Sequence, residues 1–228
     1  MEPIRLVLLT HVMAGSVALV TAALSIITSK GKSFHRKAGT TYVIAMAVAS
    51  LTAWIVAVAR PNPFLFLIAN FSGALTLIGW RLATHRSGAV ERVDRVVAVF
   101  AALSGILMIG YGAWMILSGA PIGIALAVFG VISFQSGVQS LQDVISGGLR
   151  GKVRIARHLQ RMLGATIATT TAVLVQQIVP RIESIGVPEL VLVLIWLGPT
   201  LILTPLIVVQ SRRTLAESSK GPGIELSD

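Results

Sequence analysis

Seven apolar segments, joined by connections whose charge alternates, constrain this 228-residue chain more than any motif it carries. They occupy residues 4–28, 40–59, 64–82, 96–117, 122–141, 162–179 and 190–209. At about 1.5 Å of rise per residue, a helix of such length crosses a hydrocarbon core roughly 30 Å thick. Of the 19 Lys and Arg residues, most fall in alternate connections. Lys30, Lys32, Arg36 and Lys37 lie in the first, and Arg81, Arg86, Arg92 and Arg95 lie in or beside the third. Arg150, Lys152, Arg154, Arg157 and Arg161 surround the fifth, and Arg212, Arg213 and Lys220 follow the last segment. Only Arg5, Arg60 and Arg181 fall on the other side. The positive-inside rule then places the N-terminus outside and the C-terminus in the cytoplasm. The expected fold is all-α: a multi-pass protein of the cell's inner (plasma) membrane, with seven transmembrane helices in one domain, residues 1–215. A short disordered tail, residues 216–228, is expected to follow.

Composition fits a lipid solvent, with 54% hydrophobic residues and 12% charged ones, about half the charged share of a soluble domain. A net charge of +10 is also the footprint of nucleic-acid binding. Here the charge sits in short juxtamembrane connections with no soluble sequence to carry such a fold. No nucleic-acid partner is therefore expected, and anionic lipid headgroups at the cytoplasmic face explain the charge. The absence of cysteine excludes disulfides, thiolate metal sites and thiol nucleophiles. The first segment is too long for a signal peptide and lacks a basic leader, so it reads as a mature helix.

Arg60-Pro61-Asn62-Pro63, Ser118-Gly119-Ala120-Pro121 and residues 180–189 form the short outer loops, which make sequential helices antiparallel neighbours. The longest inner stretch, residues 142–161, reads as holding a short helix on the membrane surface, with Arg154, Arg157 and Arg161 on one face. Ala14, Ala18 and Ala22 recur at a spacing suited to close helix packing. The last segment carries Pro199 and Pro205. Each removes a backbone donor and frees a carbonyl, at Ile195 and Leu201, as in the broken helices that line transporter sites. Thr200 and Thr204 offer local hydrogen bonds that would make such kinks ordinary.

Candidate chemistry rests on four histidines. His11 lies deep in the first segment, where ionisable groups are costly and tend to be functional. The alternative for it is a ring hydrogen-bonded to a neighbouring backbone. His35, His85 and His158 lie at the cytoplasmic edge, each beside an arginine. His11 and His35 are 24 residues apart, about 36 Å along an ideal helix, so they cannot share a metal. His35 and His158, with His85 as a substitute, would supply the ligands of a haem b or a metal. Asp94 or Asp143 would orient one ring, and Arg36 and Arg157 would pair with propionates. The plainer reading has these histidines touching lipid phosphates and helix ends. Within the segments Asn70, Gln135, Gln139 and Gln176 are the neutral polar groups, suited to interhelical hydrogen bonds or to a polar cavity. The absence of Asp and Glu there weakens a proton-coupled carrier. The last helix has no lysine for a retinal Schiff base, and no Walker, dinucleotide or nucleophile-elbow motif is present.

The stretch from His11 through Gly15 to Leu19, followed by Lys30-Gly31-Lys-Ser-Phe-His35-Arg36-Lys-Ala-Gly39-Thr-Thr-Tyr42-Val-Ile-Ala-Met46, resembles the opening of a bacterial family. This is the domain-of-unknown-function 2306 type of predicted membrane proteins. The block from Arg157-His158 to Ala172 is similar to a second region of its members. The resemblance implies importance for His11, Gly15, His35, Arg36, Gly39, Tyr42, Met46 and His158, and brings no assigned activity. A looser likeness is to helical cytochromes b, including two-haem ascorbate-linked transmembrane reductases, which hold haem by histidine pairs near each membrane face. With one outer histidine, and only a residue such as Met13 as its partner, this chain would match that pattern for one haem at the cytoplasmic side.

Three readings stay open: a haem- or metal-binding redox protein, a non-catalytic accessory or assembly subunit of a membrane complex, and a small-molecule permease using the proline-bearing helix and the Gln135/Gln139 face. The topology has a direct test. A reporter fused after Asp228 should be active only in the cytoplasm, and one inserted at Ser184 only outside; the reverse pattern overturns the orientation.

Overall fold

The computed structural model describes residues 2–184 and 186–219. Among these residues seven helices follow one another: α1 (Pro3–Ile27), α2 (Ser33–Ala59), α3 (Pro63–Thr84), α4 (Arg92–Leu117), α5 (Gly123–Ile145), α6 (Gly151–Glu183) and α7 (Glu189–Ser219). All seven are long and apolar enough to cross a membrane, and there is no strand among the described residues. Their starts follow from local chemistry. Proline opens α1 and α3, where a missing donor costs nothing. The Asn62 side chain accepts the Leu65 N–H at 3.0 Å, and Glu91 and Asp94 form a reciprocal capping box on α4.

Three expectations change. No separate surface helix occupies residues 142–161. Gly147, Gly148 and Gly151, with φ of 83°, 85° and 56°, turn the chain at once, and the basic stretch becomes the first turns of the 33-residue α6. Its arginines find acceptors inside the bundle, which holds them there. The first residues of the expected tail, 216–219, belong to α7, which carries helix to Ser219; residues 220–228 lie outside the described residues. Pro199 and Pro205 do not break α7. Leu201, Ile202 and Leu206 around Pro205 are exposed, so that stretch faces outward.

The helix α3 is the hub, packing on α2, α4, α5 and α6. Half of its most apolar stretch is buried, against 17% for α1 and for α7 at the periphery. Because α6 also meets α1 and α7, and α5 meets α7, two four-helix groups share the α3–α6 pair. One holds α1, α2, α3 and α6, around Ala18, Ala22, Tyr42, Met46 and Ala165. The other holds α3, α5, α6 and α7, around an aromatic cluster. There Phe71 stacks on Phe129 at 5.5 Å between centroids, and Phe64 meets Trp196 edge-on at 5.0 Å.

The tightest contact is a glycine seam between α4 and α5. Gly105 and Gly112 on α4 meet Gly123, Gly130 and Gly137 on α5, all at seven-residue spacing. A period of 3.5 residues keeps one stripe facing its partner along the whole pair. A Cβ on Gly105 would lie 2.4 Å from the Phe134 nitrogen, and one on Gly137 2.4 Å from the Ala102 nitrogen. These atoms are backbone and cannot swing away. Ser133 stitches the seam by donating to the Ala101 carbonyl at 2.8 Å.

Gly137→Ala should therefore lower thermal stability in detergent, by about 1 to 3 kcal/mol of overpacking. Gly110→Ala, where a Cβ meets nothing within 4 Å, should be neutral or slightly stabilising. Equal behaviour of the two variants would remove the seam from the account.

Candidate functional site

Histidines placed in an apolar bundle must find acceptors for their ring N–H groups, and here neighbouring backbones supply them. At one end, His11 on α1 directs Nδ1 at the Ala49 carbonyl of α2, at 2.9 Å, with Thr52 Oγ1 at 3.2 Å. At the basic end, His35 in the first turn of α2 directs Nδ1 at the Ser25 carbonyl of α1, at 3.0 Å. His158 on α6 reaches across to the Gly79 carbonyl of α3, at 2.8 Å. A carbonyl only accepts, so in each case the proton is assigned to Nδ1 and the lone pair to Nε2. Among the described residues none of these three Nε2 atoms has a hydrogen-bond partner. For His11 this is the backbone-bonded arrangement that the sequence left as one of two readings.

His35 and Tyr42 stand seven residues apart on α2, and His158 and Ala165 seven apart on α6, so each pair shares a face. The two faces look at one another. The Tyr42 hydroxyl lies 3.4 Å from Thr169 Oγ1, and Thr169 is 3.3 Å from the Met46 sulfur. His35 and Arg154 both lie near enough to act electrostatically on His158. The structure thus brings His35 and His158 to one end of the same four-helix group, with the Tyr42–Thr169 layer beneath them. Beside them Lys30 donates to the Ser25 carbonyl at 3.0 Å and to that of Ile26, closing the end of α1. Partial burial holds its pKa below the usual lysine value.

Other expected members go elsewhere. His85 has both nitrogens engaged: Nε2 meets Glu91 Oε1 at 2.9 Å, and Nδ1 lies 3.0 Å from Thr84 Oγ1 and 3.3 Å from the Arg81 carbonyl. Neither carboxylate orients an imidazole. Asp94 takes a two-point contact from Arg81, at 2.7 and 2.8 Å, and Asp143 is paired with Arg157 at 3.1 Å. Carbonyls do the orienting instead, because arginine, with its planar fork, is the stronger partner for a carboxylate. Arg36 is exposed and bonds the Gly31 carbonyl, while Arg157 turns to α5, so the two do not converge. Gln139 accepts from Arg157 at 3.2 Å and from Arg161 at 3.0 Å, whereas Gln135 is exposed on α5; they form no common polar cavity. Asn70 is buried at 5% exposure, and its Oδ1 lacks a partner among the described residues. No group of three or more His, Cys, Asp or Glu is placed to hold a metal among the described residues.

Sequence reasoning missed Arg161 as an interior residue. It is 6% exposed and bonds Ser136 Oγ at 2.9 Å and the Ser136 carbonyl at 3.2 Å. Its place on the arginine face of residues 154–161 was legible; the direction of that face was not.

No protein-family model, curated protein or solved structure matches this chain.

The tautomers are open to measurement. Nitrogen-15 NMR of histidine-labelled protein at alkaline pH should show His11, His35 and His158 protonated on Nδ1. Nε2 protonation at either His35 or His158 would contradict the bonds to Ser25 and Gly79.

Proposed function

We propose that this chain is a redox-type multi-pass membrane protein that binds one haem b between His35 and His158 at its basic end. One observation carries the reading: each imidazole is held by an Nδ1–H bond to a neighbouring helix, which presents Nε2 as a ligand of fixed orientation. Histidines that bind metals are commonly held in this way, and the bond raises the basicity of the ligating nitrogen. The donor set favours a porphyrin over a bare ion. Two neutral imidazoles with no cysteine and no third ligand leave a tetrahedral zinc site half made, whereas haem iron brings four nitrogens of its own and needs two more. When bound, the group would supply one-electron transfer. The chain's part is to hold the imidazoles from α2 and α6 and to close the layer beneath them with Tyr42, Met46 and Thr169.

The same proposal places the N-terminus outside and the basic, histidine-bearing end in the cytoplasm of a cell whose inner membrane holds the bundle. The asymmetric distribution of Lys and Arg supports that orientation. Kinship with the domain-of-unknown-function 2306 type belongs to this proposal too, resting on the His11–Met46 and Arg157–Ala172 blocks.

An absorption spectrum of the purified protein, with extraction and quantification of haem, is the test. The native protein should show the Soret and α bands of a six-coordinate low-spin haem. His35→Ala and His158→Ala should each retain about a tenth of the haem or less, and His85→Ala should be unaffected. A folded, colourless protein expressed with haem supplied would sink the reading and leave that of an accessory subunit in its place.

A further inference from the structure

The first turns of α6 drive three arginines into the wedge between α3 and α5, and the wedge holds too little negative charge for them. Asp143 is paired with Arg157. Arg154 is held by the Leu82 carbonyl. Arg161 is held by the Ser136 carbonyl and hydroxyl and by Gln139. For these last two the acceptors are all neutral. The Nε–H groups of Arg154 and Arg161 are both buried with no acceptor among the described residues. So is the hydroxyl of Ser140, one turn beyond Ser136 and 8% exposed. A cleft between α3, α4 and α5, with Arg81, Asp94 and Asp143 on its wall, runs in from the basic end to Ser140.

Buried donors without acceptors are rare, and a buried guanidinium without a counter-charge is costly. The deficit is of acceptors and of negative charge together. Water supplies only the first; an anion supplies both. Guanidinium groups and a hydroxyl spread over two helices suit a tetrahedral oxyanion, which offers several acceptor oxygens in different directions. Basic pockets between helices at the cytoplasmic side are also where anionic headgroups bind.

We propose that the α3–α5–α6 wedge is a binding site for a phosphate-class oxyanion, either the headgroup phosphate of an anionic lipid or inorganic phosphate, with Arg161, Arg154 and Ser140 as its open donors. This site is separate from the histidine pair, which lies between α2 and α6, and it stands whether or not haem binds.

The test uses the full chain in neutral detergent, with melting followed by tryptophan fluorescence. Phosphatidylglycerol, phosphatidylcholine and inorganic phosphate are titrated in separate arms. Phosphatidylglycerol, and not phosphatidylcholine, should raise the melting temperature saturably; the same response to inorganic phosphate alone assigns the free anion as the source. Arg161→Gln should weaken the response about tenfold, as expected for the loss of a charged hydrogen bond. Lys37→Gln, an exposed change at the same end, should leave it intact. If Arg161→Gln does not fold, Ser140→Ala keeps every arginine and should weaken the response several-fold. The proposal is overturned if neither anion gives a saturable rise, or if the wedge variant that folds responds as the native protein does.

Discussion

A chain built for an apolar solvent has no water inside it to accept a hydrogen bond, and nearly every feature of this bundle answers to that constraint. Backbone groups must pair within their own segment, which makes helices the only open form of the chain that can span lipid. Side chains then borrow what the helices leave. Threonine and serine hydroxyls turn back on carbonyls of the preceding turn, as Thr10, Ser16 and Thr21 do on α1. Histidines, which cannot reach back so simply, bond the carbonyls of neighbouring helices, and the tautomer of each ring follows from that need. The ligand-like state of Nε2 is thus a consequence of solvent as much as of chemistry.

The pair formed by α3 and α6 separates two environments. On one side, with α1 and α2, lie small residues, Tyr42, His35 and His158. On the other, with α5 and α7, lie the aromatic cluster and, towards the basic end, the arginine wedge. His158 and Arg161 are three residues apart on α6 and serve different sides, His158 bonding α3 and Arg161 bonding α5. One helix therefore carries both candidate sites, which couples them mechanically. A shift of α6 along its axis would break the Gly79 bond and the Ser136 and Gln139 bonds together.

Arginine acts here as the cement of the basic end. Arg81 ties α3 to the start of α4 through Asp94 and Glu91, with side-chain exposures of 11% for Arg81 and 19% for Asp94. Arg150 donates to the Ser87 carbonyl at 2.8 Å and joins the α3–α4 and α5–α6 loops. The Arg81–Asp94 pair is partly buried and geometrically specific, so removing one partner strands the other's charge. Topology and packing thus draw on the same residues.

Seven helices, their approximate limits and the crowding of positive charge at one end were all legible in the sequence, because apolar length and charge alternation are properties of consecutive residues. Helix starts were less legible. The three glycines at 147, 148 and 151 turn the chain before Arg154, and no periodicity announces whether the helix beyond them lies on a membrane or enters it. The histidines could be named from the sequence, but not sorted. That His85 is occupied by Glu91, while His35 and His158 keep Nε2 without a protein partner, depends on which carbonyls and carboxylates come within about 3 Å, and those belong to other helices. The interior place of Arg161 has the same origin. What consecutive residues determine is which stretches leave water; which polar group then meets which is decided when the helices pack, since hydrogen bonds and charge pairs act over ångströms in space and are blind to distance along the chain.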